Sequence, residues 1–494
     1  MLTRAELDLL RDAVPSDPDR AALLATLERR SARLLKPTAP PPLPPPVPRV
    51  KALLSRDGGV CPNDGAGLRF DPWSPDRHTC TRCGESFGGD RHHRHWARAQ
   101  HLWLAERAAE LALISELRPN PEAAARSVEI LAAYESRYFE LPNRDNVLGP
   151  SHLFFSTYLE SLWVTSYLAA AAILRGAGAL SEERVEGVNR VADEAAGMIG
   201  EFNEGLSNRQ TWHAAALAAI AFWFDDTELM ATAAESRTGL LGHLADGFGG
   251  DGLWWEGENY HLFALRGLML GIQWARAMGF DLLESHEVRN HFRAALIAPA
   301  RSALPDFTYP ARKDSRYGVS LARPASLELW EIGRAWIGGD EELEAWLGAL
   351  YNQPPTASPA GEQYDAWLHD AGLPESGPAR RSGLSWWALT AMVPLPAPAP
   401  AWGPESVLLP DQGLAILRRE DCYASLECGP RVGGHGHPDR LHLTVHAGGW
   451  HWLPDPGTGS YVHPSLAWYR SALAHNAPML DGVNAGGQDA WCAA

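Results

Sequence analysis

The sequence predicts an α + β multidomain protein, a long run of helices followed by an antiparallel β-sheet or sandwich domain. Three observations carry this. From about residue 95 to 395 apolar residues recur at three- and four-residue spacing, as in HWARAQHLWLAERAAELALISEL, which is the period of an amphipathic helix. A proline-rich joint, VPLPAPAPAWGPE (393–405), then interrupts the pattern, because proline lacks the N–H that a helix or a central strand needs. Beyond it the period changes to two in GLAILRR, CYASLECG and LHLTVHAG, and GGWHWLPD turns into a further strand. Helices first and strands afterwards argue for separate domains rather than alternating βαβ units.

The elements follow in order. Residues 1–36 read as two short amphipathic helices, and LKPTAPPPLPPPVPR continues as an extended spacer, which bounds a first segment at 1–50. Residues 51–95 are rich in Gly, Asp, Cys and His. The helical domain, 96–395, holds roughly a dozen Ala- and Leu-rich helices. One starts at the Asn-Pro signal of NPEAAARSVEILAAYESRY, and further candidates are 152–175, 181–204, 210–223, 226–245, 258–278, 284–303 and 323–350. An α-solenoid or a toroid of helical hairpins fits; the absence of a fixed-period repeat weakens the solenoid. Residues 396–494 begin the β-domain. The final GGQDAWCAA has no closing strand pattern, so that domain is expected to be truncated.

Composition narrows the function. The chain has 494 residues and a formal net charge of -17, which disfavours a nucleic-acid partner, since such binders are usually basic. No run of 18 apolar residues occurs, so no membrane span is expected. The N-terminus MLTRAELDLLRDAVPSDPDR has no apolar signal region, so the default compartment is cytoplasmic, with a periplasmic or secreted location if the start site lies elsewhere. Six cysteines in so long a chain do not make a disulfide framework. Three of them, Cys61, Cys80 and Cys83, gather in CPNDG…CTRCG like a degraded zinc ribbon. With Asp64, His78 or His92 as fourth ligand they could hold a structural Zn²⁺ tetrahedrally.

Chemistry-bearing residues concentrate elsewhere. GHGHPDRLHLTVHAGGWHWLPDPGTGSYV (434–462) packs five histidines, two aspartates and a tyrosine together. His435 and His437 are two apart at a strand entry and can share a face. Asp455 ends the next strand, where a hairpin returns it beside them, and His475 follows in SALAHNAP. Two histidines and an aspartate from adjacent strands suit Zn²⁺. SNRQTWHAAALAAI (207–220) places Ser207 or Asn208 at a helix cap and His213 at the helix mouth. In GDGLWWEGENYHLFALRGLM (250–269), Tyr260 and His261 open a helix after a Gly- and Trp-rich loop. YPARKDSRYGVSL (309–321) carries Arg312, Lys313 and Arg316, a basic knot in an acidic protein, and arginine suits bidentate recognition of carboxylate or sulfate.

Together NRQTWH, EGENYHLFALRGL, ARKDSRYGVSL, GHGHPDRL, LPDPGTGSY and YRSALAHN resemble the heparinase II/III-like polysaccharide lyases, a group that includes exo-acting oligoalginate lyases. The resemblance runs over roughly 60–490 and is most specific in the His-x-His…Asp…His-Asn series. It implies an N-terminal (α/α) toroid, an antiparallel β-domain with further sheets beyond this segment, and an active site in the cleft between them. It implies β-elimination on an anionic, uronic-acid-containing polysaccharide or oligosaccharide. Asn208 and a histidine would neutralise the uronate carboxylate. Tyr260 would be base, acid or both, and His435 the second proton-handling or neutralising group. His213 would be a catalytic partner or substrate contact. The remaining substrate contacts would be Arg312, Arg316, Trp212, Trp255, His261 and Tyr461, with Tyr469 an alternative tyrosine. His437, Asp455 and His475 would bind a structural metal, Zn²⁺, with His463 an alternative to His475. Two other readings stand beside this one. A toroid glycoside hydrolase needs two carboxylates flanking a bond, for which Glu256 and Glu258 are the candidates. A non-catalytic carbohydrate-binding protein would be expected to have lost Tyr260 or the histidine pair. Neither the particular sugar, nor endo or exo action, nor the oligomeric state is legible.

Overall fold

Thr3 accepts a hydrogen bond from the Glu6 N–H and the Glu6 side chain accepts from the Thr3 N–H, a capping box that starts α1 (Arg4–Ala13). Helix α2 (Pro18–Ser31) follows, capped by Asp17. This is the start of a computed structural model that describes residues 3–36, 43–44, 57–141, 148–353, 379–429, 435–459 and 464–484. Most of the first proline-rich spacer, Tyr461 and His463 lie outside the described residues.

A short hairpin, β1 (His78–Thr79) with β2 (Ser86–Phe87), forms the ribbon of the Cys-rich segment. The helical domain then runs α3 (Asp90–Leu117), α4 (Pro121–Arg137), α5 (Thr157–Gly176), α6 (Glu182–Glu201), α7 (Asn208–Phe224), α8 (Thr227–Glu235), α9 (Glu258–Ala277), α10 (His286–Ser302), α11 (Pro324–Ile337), α12 (Glu341–Tyr351) and α13 (Trp386–Ala391). Helix α3 packs on α4 and α5, α5 on α7, and α7 on α9. Helix α13 returns to contact α2 and α3. The last helix therefore meets the first, which makes a toroid and not a solenoid, whose ends stay apart. One apolar core runs through the ring, with Trp163, Trp254, Trp330 and Trp346 fully buried. No helix among the described residues is long and apolar enough to cross a membrane.

Two predicted helices break. The 323–350 candidate splits because Gly338 and Gly339 adopt φ of 70° and 58°, conformations that glycine reaches without steric cost. The 226–245 candidate stops after Glu235 and resumes near Leu240, where a Cβ on Gly239 would lie 2.6 Å from the Ala233 carbonyl oxygen.

The β-domain is a five-stranded antiparallel meander in sequence order: β3 (Val407–Leu409), β4 (Leu414–Arg419), β5 (Cys422–Glu427), β6 (His442–Ala447) and β7 (Trp450–Leu453). Strand β3 was not legible in the sequence. His435 and His437 precede β6 in an irregular segment instead of lying on a strand. Cys428 is disulfide-bonded, whereas Cys61, Cys80, Cys83 and Cys422 are free thiols.

Candidate active site and metal centres

The loop 309–321 is the spine of the site, and close approaches on both sides hold it. Gly257, at φ 105°, caps α9, and a Cβ there would come within 3.1 Å of the Arg312 carbonyl oxygen and of Ser315 Oγ. The Asn259 N–H donates to Ser315 Oγ at 3.1 Å. On the other side, a Cβ on Gly457 would sit 2.2 Å from the Ser315 carbonyl oxygen, and the Thr458 N–H donates to that oxygen at 2.9 Å. The loop is thus stitched to α9 of the toroid and to the segment after β7. Lys313 takes φ 58°, a strained conformation for a side-chain-bearing residue that occurs where surrounding structure enforces it.

Asp314, within this loop, is the hub. Its side chain is fully buried. Oδ2 lies 2.8 Å from His435 Nδ1 and Oδ1 lies 2.9 Å from His437 Nε2, while Arg470 donates to both oxygens. Burial alone would raise this carboxyl, but the bonds from His435, His437 and Arg470 outweigh it and hold the pKa far below the ordinary range. The Asp314 N–H also donates to the His435 carbonyl oxygen at 3.1 Å, so backbone and side chain together fix the histidine.

His435 faces the toroid with its other nitrogen. Nε2 lies 3.4 Å from Glu256 Oε1, and its ring lies 4.3 Å, centroid to centroid, from that of Tyr260. Tyr260 is half-buried in the first turn of α9. Glu256 in turn receives three donors on Oε2: the Asn208 N–H at 3.0 Å, Asn208 Nδ2 at 2.8 Å and Trp254 Nε1 at 2.8 Å. Ser207 is the N-cap of α7, so Asn208 is the first helical residue and is free for this role. A continuous chain of polar contacts therefore runs from Asn208 through Glu256 and His435 to Asp314 and His437, from toroid to β-domain.

His437 leads to the metal-type cluster. His475 bridges it: Nε2 lies 3.2 Å from His437 Nδ1, and Nδ1 lies 3.1 Å from Asp455 Oδ1. Because His475 meets the two with different nitrogens, its neighbours fall into two overlapping groups, His437–Asp439–His475 and His442–Asp455–His475, each with ligand atoms within 4.8 Å of one another. The three expected ligands are contiguous but are joined by Asp439 and His442. The donor set fits a cation. Asp439 Oδ2 and Asp455 Oδ2 are buried without hydrogen-bond partners. Burial, with Glu427 and Asp455 nearby, raises Asp439 to about 6. Burial works against a charged His475, yet Asp455 raises it to about 9. The facing nitrogens of His437 and His475 stand near the edge length of a zinc tetrahedron, about 3.3 Å from ~2.0 Å bonds.

In the Cys-rich ribbon, Cys61, Asp64, Cys80 and Cys83 converge with ligand atoms within 4.8 Å. Cys61 Sγ is 3.7 Å from Cys83 Sγ, and Cys80 Sγ is 3.5 Å from Asp64 Oδ1. Burial opposes a Cys80 thiolate, but N–H donation from Cys83 and Arg82 at 3.4 and 3.3 Å lowers its pKa. Asp64 thus stands in the fourth position. His78 meets His93 and His92 meets the Gly58 carbonyl oxygen instead.

Several predicted contacts are placed elsewhere. His213 is fully buried, with Nδ1 2.8 Å from Ser161 Oγ and Nε2 3.2 Å from Glu204. His261 is also fully buried: Nδ1 accepts from the Trp254 N–H and Nε2 donates to the Ala295 carbonyl oxygen. Trp212 is buried and donates to the Phe263 carbonyl oxygen. Arg312 is clamped in the interior, Nε 2.7 Å from Glu258 and a terminal nitrogen 3.3 Å from Glu427. The guanidinium lies beneath the surface, with its side chain 1% exposed. Lys313 is likewise buried, bonded to the Trp255 carbonyl oxygen and to Gln412, and burial with Arg312 adjacent lowers it to about 8. Trp255 is half-buried, and Arg316 is half-buried beside Gly457. Glu258, tied to Arg312, and Glu256, tied to Asn208, are both buried, whereas a hydrolase pair flanks the bond that it cleaves. Asp314, Arg470, Asp439 and His442 were missed by sequence reasoning, and Glu256 was named only as half of a hydrolase pair. The signal for Asp314 was present: a lone acid within the basic ARKDSR run.

The comparisons agree with this geometry. The alginate lyase family model matches residues 81–300, and the heparinase II/III-like C-terminal model matches residues 402–492. Both families are polysaccharide lyases, so the chain falls in the class of carbon–oxygen lyases built as a helical toroid with a β-domain. The toroid thus carries an alginate-lyase domain, and the sheet that follows carries a heparinase II/III-like C-terminal domain. Among solved structures, a heparinase III is 13% identical with a TM-score of 0.54, covering 97% of this chain and 70% of its own. A heparinase III with methylated lysines is 13% identical with a TM-score of 0.51, covering 97% and 69%. At this identity the likeness establishes the fold. No curated protein matches the chain.

Proposed function

We propose that the protein cleaves a uronate-containing polysaccharide or oligosaccharide by β-elimination at the junction of toroid and sheet, with Tyr260 and His435 as the proton-handling pair. The single observation that supports this most is their ring contact at 4.3 Å beside Asn208 and the Asp314 hub. In the reaction a base takes the C5 proton. The electron pair forms the C4–C5 double bond, the C4–O bond breaks, and an acid protonates the departing oxygen. The C5 proton is acidic only because charge delocalises onto the uronate carboxylate. Neutralising that carboxylate therefore stabilises the transition state. The second Nδ2 hydrogen of Asn208 and the His435 ring are the groups that would do so. Tyr260, on a rigid helix end, is the base, the acid or both. Asp314 fixes the orientation and tautomer of His435, in the way a buried acid serves a catalytic imidazole.

Zn²⁺ is the ion the donor sets suit. His437, Asp455 and His475, with Asp439 or His442, would hold one such ion, and Cys61, Asp64, Cys80 and Cys83 another. Bound there, zinc would supply bracing of the β-domain and of the ribbon. Substrate contacts are assigned to Arg316 and Trp255, with Tyr461 beyond the described residues.

The test is ultraviolet absorbance during incubation with a panel of uronate polymers and their oligomers, with Tyr260→Phe as the control. A lyase generates a conjugated double bond and the variant does not. Binding of every polymer without new absorbance would favour the carbohydrate-binding reading instead.

A further inference from the structure

The inward face of β6 carries His442, Thr444 and His446, all buried. His442 belongs to the cluster around Asp455. His446, at the other end of the strand, does not, and its surroundings form a separate constellation. It is 2% exposed, and neither ring nitrogen has a hydrogen-bond partner of regular geometry among the described residues, although the Asp421 backbone favours its charged form. Its cross-strand partner on β7 is His451, at a β-bulge, with the two rings 5.0 Å apart and near perpendicular at 89°. The loop after α10 brings Asp306 to the same point, with Oδ2 2.7 Å from His451 Nε2.

We propose that Asp306, His446 and His451 form a further divalent-metal site, a two-histidine, one-carboxylate set that pins the β6–β7 hairpin to the toroid. Their ligand atoms all lie within 4.8 Å of one another. Asp306 is pre-set for the role: Oδ1 is occupied by the Thr308 N–H at 3.1 Å and the Thr308 hydroxyl at 2.7 Å, which leaves Oδ2 for an ion. Partners of this kind orient metal ligands. An ordinary His–Asp ion pair accounts for His451 and Asp306. It does not account for His446, whose buried ring needs a partner for at least one nitrogen. An ion between the three supplies it.

The chemistry selects the ion. Two imidazoles and one carboxylate favour borderline ions such as Zn²⁺ over Ca²⁺ or Mg²⁺, which take oxygen ligands. Three protein ligands leave at least one coordination position for water. Entry is open, since the side chains of Asp306 and His451 are 31% and 19% exposed. Tyr317, itself 44% exposed, stands edge-on to His451 at 5.5 Å and shields one side.

The experiment is metal counting on the full chain. The protein is stripped with a chelator, reloaded with Co²⁺ and dialysed. Bound cobalt is then measured with the visible spectrum for wild type, His446→Ala, His451→Gln and Asp306→Asn. The expected result is one ion per chain fewer in each variant, with the thiolate-to-cobalt absorption of the Cys61 cluster unchanged as an internal reference. His451→Gln is the decisive variant, because it lies at the accessible end of the hairpin and does not open a core cavity. A cobalt count equal to wild type in His451→Gln and Asp306→Asn overturns the proposal, even if His446→Ala lowers the count through lost structure. Loss of the thiolate band together with the ion in all three also overturns it, since the count would then report unfolding.

Discussion

Asp314→Asn removes one negative charge from a fully buried carboxylate that holds His435 at 2.8 Å, His437 at 2.9 Å and Arg470. An amide presents one acceptor and one donor where the carboxylate presented two acceptors. Either an imidazole N–H or the Arg470 guanidinium then faces an N–H of the new side chain. Breaking a fully buried ion pair costs about 3–5 kcal/mol. Arg470 is 32% exposed, and water reaches it, so the expected loss of stability is smaller, about 1–3 kcal/mol. The catalytic loss is larger. His435 loses the partner that sets which nitrogen carries its proton, and general acid–base catalysis contributes about 10²–10⁴-fold. Turnover should fall by that order. KM should change little, because Asp314 has no exposed surface on which to meet substrate. The assay is the initial rate of ultraviolet absorbance against substrate concentration, with a thermal melt beside it. A folded Asp314→Asn protein that retains kcat within about threefold of wild type would refute the positioning role.

Four further outcomes follow from the same geometry. Tyr260→Phe should reduce kcat by about 10²-fold or more with an unchanged melting temperature, read by rate and melt together. Glu256→Gln keeps the shape but weakens acceptance from Asn208 and Trp254 and removes the charge opposite His435. It should lower kcat/KM by about 10-fold or more, seen in the same rate assay. Arg312→Met leaves Glu258 and Glu427 buried without their cation, and denaturant unfolding should show a loss of about 3–5 kcal/mol. Burial holds His101 and His261 at about 3 against an ordinary 6.5. Their folded pKa lies below the unfolded value, so they cost nothing above pH 6.5. Stability then falls as the unfolded chain takes up protons that the folded one refuses. In a pH series of unfolding free energies, His261→Gln should make the decline between about pH 6 and 4 shallower by about 1.4 kcal/mol per unit.

The helices and strands were legible because their periods, 3.6 and 2, are written in residues adjacent along the chain. LHLTVHAG announces β6 with its alternating buried residues, and NPEAAARS announces the Asn120 cap of α4. Helix breaks at Gly239 and Gly338 were not, since glycine within an apolar run reads either way. The site divides in the same manner. His435, His437, Asp455 and His475 are a dense local pattern, and the structure brings them together with Asn208 and Tyr260. Asp314 and Glu256 act through contacts 121 and 48 residues away along the chain, and no local spacing encodes such pairings. Arg312 misled for the converse reason. A basic cluster reads as exposed, while Glu258 and Glu427, which bury it, lie on other elements.

The most direct test of β-elimination is to digest a responsive uronate polymer in heavy-oxygen water and weigh the products. Elimination breaks the bond without adding water, so the new unsaturated end should carry no solvent oxygen and appear one water lighter than a hydrolysed fragment, with absorbance rising in step. Saturated products carrying one heavy oxygen per cleavage would contradict the account and identify a hydrolase on the same fold.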